Sequence, residues 1–161
     1  MIPNYRTARD ARRRGEQGFT LIEVMVVVLI IGILLAVGIP TFIGARTRAQ
    51  DRAAQSNLRT AQTTAFVLMT DVGDFGSTFE SRLAEAEPSL TWNFATTPST
   101  AENRVSVARS SDSSEFAAAA LSDSGRCFYI RLSVSRAARY GSSSTNDCTG
   151  NHALTVTGSS W

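Results

Sequence analysis

Few side chains in this 161-residue sequence can carry out acid–base or covalent chemistry. His152 is the only histidine, so a histidine-based triad or a histidine-rich metal cluster lacks its parts. The glycines are scattered and make no phosphate-binding loop. Cys127 and Cys148 have twenty residues between them. Two thiols alone do not complete a zinc site, and in an exported domain such a pair reads as a disulfide. Closing that loop contributes on the order of 3 kcal/mol in the chain-entropy model. No cofactor site and no catalytic constellation follow, so the sequence does not read as an enzyme. One carboxylate remains. Glu23 lies inside the apolar string Phe19-Thr20-Leu21-Ile22-Glu23-Val24-Met25-Val26. Deep in hydrocarbon it would cost roughly 2.5–3.5 kcal/mol, and such residues usually have a partner. Two readings are open from the residues alone: a Glu snorkelling to the headgroups, or one that meets a cation from another chain. An amine at Phe19, freed by a cut after Gly18, would be such a cation.

The elements around Glu23 sharpen the choice. Residues 1–18 carry five Arg against Asp10 and Glu16, a balance of +3, while residues 19–161 carry eleven Arg against twelve acids, a balance of −1. The basic character belongs to the head of the chain, so the pI says nothing about nucleic acid. All sixteen basic side chains are Arg, which reads as composition bias. Residues 24–45 are 22 positions without a charge, long enough for a transmembrane helix. A secretory signal puts its apolar stretch before the cleavage site; here the basic stretch ends at Gly18 and the apolar run follows. Arginines flank that run on both sides, so charge alone favours a cytoplasmic N-terminus weakly. The cysteine pair, which oxidises outside, gives the stronger vote for the same orientation.

The string Gly18-Phe19-Thr20-Leu21-Ile22-Glu23 resembles the prepilin peptidase recognition motif of type IV pilins and type II secretion pseudopilins. The apolar run that follows, with Pro40 at its end, is similar to the family's N-terminal helix. The resemblance covers about 25 residues closely. It implies cleavage between Gly18 and Phe19, N-methylation of Phe19, and a role for Glu23 in docking an incoming subunit. The leader is longer than those of many type IVa members. Pro40, with Gly32 and Gly38, weakens the helix by removing a hydrogen bond and lowering propensity. It reads either as a tolerated transmembrane proline or, as the resemblance implies, as part of a segment 32–40 that unwinds when the subunit leaves the membrane. Gly32, Ala36, Pro40 and Gly44 recur every fourth residue and place small side chains on one face.

Beyond Ala45 the pattern turns amphipathic, with Ala54, Leu58, Ala61, Ala65, Leu68 and Val72 on one helical face. The first strong stop is Gly73, so one helix over residues 19–72 is expected, running about 80 Å. Further on, 82–87 reads as a turn or two of helix, and 89–94 alternates to put Leu90, Trp92 and Phe94 on one face of a strand. Trp92 reads as a core anchor rather than a binding platform. Strands are expected at 104–109, at 115–122 despite four alanines that favour helix, at 127–133 after a Ser124-Gly125 turn, and at 152–157.

The expected fold is α+β: one long N-terminal helix, membrane anchor plus spine, packed on an antiparallel sheet of three or four strands. The domains expected are a leader 1–18 removed on maturation, an apolar transmembrane and filament-core helix 19–53, and a globular head 54–161. The family resemblance implies a pilus subunit that polymerises with itself, in partnership with the prepilin peptidase and methylase, a membrane platform and a cytoplasmic assembly ATPase. It implies a single-pass membrane precursor that becomes an extracellular filament. A type II secretion pseudopilin and a minor or competence pilin are the alternatives. Arg126, Arg131, Arg136 and Arg139, with Tyr129 and Tyr140, make a basic-aromatic cluster that could contribute to DNA binding, against the plainer reading of a solvated sheet face paired with acids.

Overall fold

Residue 73 is where the first helix has to stop, and it does. The computed structural model describes residues 18–161 except 77, 78, 102, 136, 145 and 146, so the leader lies outside the described residues up to Gly18. Helix α1 runs Leu21–Val72. Thr20 caps it, accepting the Glu23 N–H on both its carbonyl (3.1 Å) and its hydroxyl (3.3 Å). At the other end Gly73 takes a positive φ of 95° and returns its N–H to the Met69 carbonyl, the left-handed cap that glycine makes without strain. The chain falls into two compact units, the first ending at Ile43 and the second being Gly44–Trp161.

In the first unit every residue of the apolar run is exposed, from Leu21 to Ile43. Pro40 sits inside α1 without ending it. The Thr41 hydroxyl donates to the carbonyls of Val37 (3.2 Å) and Gly38 (2.8 Å), next to the place where Pro40 can supply no N–H. Such back-bonding is how apolar helices accommodate proline where water is absent.

In the second unit the expected stripe is buried: Ala54, Leu58, Ala61, Ala65 and Leu68 face the core. Val72 does not join them; it lies in the last turn, 53% exposed, and Met69 is buried instead. Helix α2 spans Phe79–Ala86, three residues earlier than its expected start, because Phe79 closes an aromatic cluster with Phe75 and Phe116 at 5.3 and 5.5 Å.

The sheet is mixed and has five strands rather than three or four antiparallel ones: β1 Thr91–Phe94, β2 Arg104–Arg109, β3 Glu115–Leu121, β4 Cys127–Ser133 and β5 Ala138–Ser143, in that spatial order. β1 lies parallel to β2, with Trp92 opposite Val105, and the other three pairings are antiparallel. A parallel pair ordinarily needs a long crossover. Here residues 95–103 suffice because side chains hold the return: Asn93 donates to the Pro98 carbonyl, Ser106 to Thr97 and Ser99 to Arg104. β5 lacks an alternating apolar pattern and forms because it completes the free edge of β4, from Cys127 opposite Ser143 to Leu132 opposite Ala138.

The four alanines at 117–120 are strand, as expected, and the reason is position. They occupy the middle of the sheet, covered on both faces, where a larger side chain has no room. On one face Val105, Val107, Phe116, Ala118, Ala120, Phe128, Ile130 and Leu132 share a core with the α1 stripe. On the other, Ala117, Ala119, Cys127 and Tyr129 pack with Cys148 and Ala153. Trp92 packs against the first core, half-buried, with its indole N–H donated to the Glu87 carbonyl at 3.1 Å.

The strand expected at 152–157 is not formed. A short helical turn, α3 Gly150–Ala153, stands at its start, capped by Thr149, whose hydroxyl accepts the His152 N–H. Gly150 presses on the β2 backbone so closely that a Cβ would collide with Val107 and Ala108, and its N–H donates to the buried Ser106 hydroxyl at 2.8 Å. That contact turns the chain across the sheet instead of along it.

Candidate processing and assembly segment

Gly18 and Phe19 precede α1 and are exposed, Phe19 at 81%. Both lie outside regular secondary structure, just ahead of the helix. Glu23 lies in the first turn of α1, where unpaired backbone N–H groups favour a carboxylate. Thr20-Leu21-Ile22-Glu23 also has the T-x-x-E pattern of a capping box. Among the described residues Glu23 makes no ion pair.

Gly32, Gly38 and Pro40 all lie within α1 and are exposed. By length and composition α1 is apolar enough at its N-terminal end to cross a membrane, and none of that stretch is buried. Cys127 and Cys148 are joined, with Cα atoms 5.6 Å apart, and both are buried behind the sheet. The bridge closes the β4–β5 hairpin. Its far end is tied in as well, because the Cys148 carbonyl accepts the Ser99 N–H at 2.8 Å. Nearby, His152 approaches Asp147 at 3.1 Å and stacks at 4.8 Å on Tyr129, whose hydroxyl donates to the Asp147 carbonyl. The sole histidine thus belongs to the packing of this loop.

The basic-aromatic cluster is divided by the fold. Arg126 faces Asp51 at 3.4 Å, Arg131 pairs with Glu115 at 3.0 Å and donates to the Leu154 carbonyl, and Tyr129 is buried. Tyr140 packs edge-on to Trp161 at 4.8 Å. Arg139 is exposed, and Arg136 lies outside the described residues. No group of three or more metal-ligating side chains occurs among the described residues.

Sequence reasoning gave Asp51 no role. Its Oδ1 accepts the hydroxyls of Ser122 (2.8 Å) and Ser124 (2.5 Å), and Arg126 stands at its Oδ2. One carboxylate therefore pins the second half of α1 to the β3–β4 turn. A second, smaller case is Asp112, whose carboxyl accepts from the Ser110 and Ser114 hydroxyls, which lower its pKa from 3.8 to about 2.

A long N-terminal helix followed by a sheet that packs on its second half makes this an α+β, pilin-like fold. Residues 13–39 match the prokaryotic N-terminal methylation motif. The chain is 45% identical over 64 residues to the type IV major pilin protein PilA of Myxococcus xanthus, which is 38% of this chain and 29% of that protein. It is 48% identical over 48 residues to the type IV wide pilus major component PilA4 of Thermus thermophilus, 30% of this chain and 37% of that protein. It is 40% identical over 47 residues to the type II secretion system core protein G of Aeromonas hydrophila, 29% of this chain and 33% of that protein. The chain thus spans about a third of the length of these relatives. No solved structure matches. By motif and relatives, the chain carries the N-terminal segment of the family that type IV pilins and type II secretion pseudopilins share.

Proposed function

We propose that this chain is a type IV pilin, made as a single-pass precursor with its N-terminus in the cytoplasm and polymerised into a surface filament. The observation that carries the reading is the exposed Gly18-Phe19 junction, set just before Glu23 at the head of α1, whose apolar stretch 21–43 has no buried side chain. Cleavage after Gly18 by the prepilin peptidase removes the leader 1–18 and leaves the span in the mature chain. Methylation of the new Phe19 amine follows. Residues 19–53 then form the filament core and 54–161 the head.

In assembly, Glu23 accepts the charge of a neighbouring subunit's Phe19 amine. In hydrocarbon an unpaired carboxylate is costly, so the pairing rewards correct axial register and penalises any other. Segment 32–40 supplies the flexibility for leaving the bilayer: Pro40 has already removed one helical bond, and Gly32 and Gly38 lower the cost of losing others. The energy for assembly comes from a cytoplasmic ATPase acting through a membrane platform.

The disulfide-closed C-terminal loop leans toward a pilus rather than a secretion pseudopilus. The relatives include type IV pilus components and type II secretion core proteins alike, which keeps the pseudopilin reading as the alternative. Mass spectrometry on filaments sheared from cells tests the choice. A dominant species beginning at Phe19, with one added methyl and a closed Cys127–Cys148 bond, is the expected result. An uncut chain, or one found in membranes but missing from the sheared fraction, would refute it.

A further inference from the structure

The boundary of the apolar run carries an unbalanced charge. Residues 24–45 hold none, and three arginines, Arg46, Arg48 and Arg52, follow within seven residues. All three are exposed, and none is ion-paired among the described residues. Between Glu23 and Asp71 the only acid is Asp51, and the fold has turned it away. Its two oxygens are taken by Ser122, Ser124 and Arg126 of the β3–β4 turn. Arg48 and Arg52 are four residues apart in α1, so like charges lie side by side on one helix face, an arrangement that is unfavourable without a counterion. Arg59, farther along, stands over the Trp161 ring at 5.4 Å and already has an occupation.

We propose that Arg46, Arg48 and Arg52 form a belt that binds the headgroups of anionic phospholipids beside the span. This rests on reading residues 24–45 as membrane-spanning. Helical rise places Arg46 next to the end of the span and Arg52 about 10 Å beyond it. The headgroup layer on each side of the hydrocarbon is roughly 5–8 Å thick. Helical side chains lean toward the helix N-terminus, which here is the direction of the bilayer, so the Arg52 stem closes the remaining gap. The guanidinium fork matches a phosphate diester in two parallel hydrogen bonds, while the positive charge, which lysine shares, supplies most of the attraction. An acidic face on a second copy could neutralise the same charge. Lipid is favoured because the belt starts at the last apolar residue rather than farther out along α1.

The test uses the full chain reconstituted in vesicles of phosphatidylcholine alone and of equimolar phosphatidylcholine and phosphatidylglycerol. After flotation and gentle extraction, the lipids that remain with the protein are quantified. The wild-type chain should retain phosphatidylglycerol in preference. That enrichment should drop about fivefold for each arginine changed to glutamine, less as salt screens the charge. R46Q/R48Q/R52Q should retain the bulk ratio, whereas R46K/R48K/R52K should keep most of the preference. A wild-type chain that floats yet retains the bulk ratio overturns the belt alone, as does an undiminished preference in the glutamine variant. Salt-sensitive self-association in place of lipid preference would assign the belt to a second copy. A chain that fails to float with either vesicle overturns the span reading, and the belt with it.

Discussion

Helix α1 uses one backbone geometry in two solvents. Up to Ile43 its side chains are almost all apolar and all exposed; from Ala54 on, one stripe is buried and the rest of the surface is polar apart from Val67 and Val72. A leucine therefore means different things along the same helix. Leu29 is 64% exposed among the described residues, while Leu58 is completely buried beneath the sheet. Exposed apolar surface on this scale marks an interaction with membrane or with other chains. The first stretch is specified by what will surround it, the second by what already does.

The sharpest way to break this comparison is at its one anomalous residue. Glu23→Val makes the first stretch wholly apolar. It should leave the amount of precursor in the membrane unchanged and abolish filaments, as counted in sheared fractions; normal filament yield would remove the docking role. Next comes the same truncation made twice. Leu58→Ala should destabilise the head by about 2–5 kcal/mol, through lost transfer energy and the cavity left behind. Leu29→Ala should not move the head's unfolding midpoint at all. Urea titration of the full chain in detergent micelles, followed by Trp92 and Trp161 fluorescence, reads both.

A smaller effect is expected where the second stretch is fastened. Asp51→Asn keeps the shape but weakens the bonds from Ser122 and Ser124 to a charged acceptor, costing about 1.5–3 kcal/mol in the same titration. Equal loss in a Ser122→Ala/Ser124→Ala background would mean that the tie is not what Asp51 contributes. The smallest effect lies at Asp112. Its folded pKa of about 2 is below the ordinary 3.8, so its contribution is fully present above 3.8 and disappears as pH falls through about 2. Asp112→Asn should flatten the acid limb of stability in that window and leave neutral pH untouched. Asp112 is exposed and solvent screens it, so the change should be slight.

These predictions also divide what could be read in the sequence from what could not. The helix of the first stretch was legible, because a charge-free apolar run is a signal that needs no tertiary context. The spine stripe was legible for the same reason, apart from Val72, which the helix end releases to solvent. The sheet was only partly legible. Strands β2 and β4 announce themselves by alternation. β5 does not, because Arg139, Gly141 and Ser142 form a strand only when the edge of β4 is there to pair with. The parallel sense of β1 depended on Ser99, Ser106 and Asn93, whose hydroxyl and amide groups look like ordinary loop residues until their acceptors are known. Asp51 was missed because its donors are more than seventy residues away. The turn at Gly150 was missed because it answers a crowded backbone in β2.

The strand order of the sheet matches the order of the chain, and this bears on how the head comes to exist at all. If the head is exported behind the span, as proposed, while the leader stays inside, β1 emerges first, then β2, and so on to β5. Each newly arrived strand finds its partner already waiting beside it, with no long segment to hold open for a later neighbour. Non-local pairing slows folding and leaves edges bare to aggregation. Here the growing edge is always the last strand to emerge, and the final residues close it, with the Tyr140 N–H donating to the Gly158 carbonyl. On that reading the head is knitted in the order in which it emerges, finished by a single oxidation between Cys127 and Cys148.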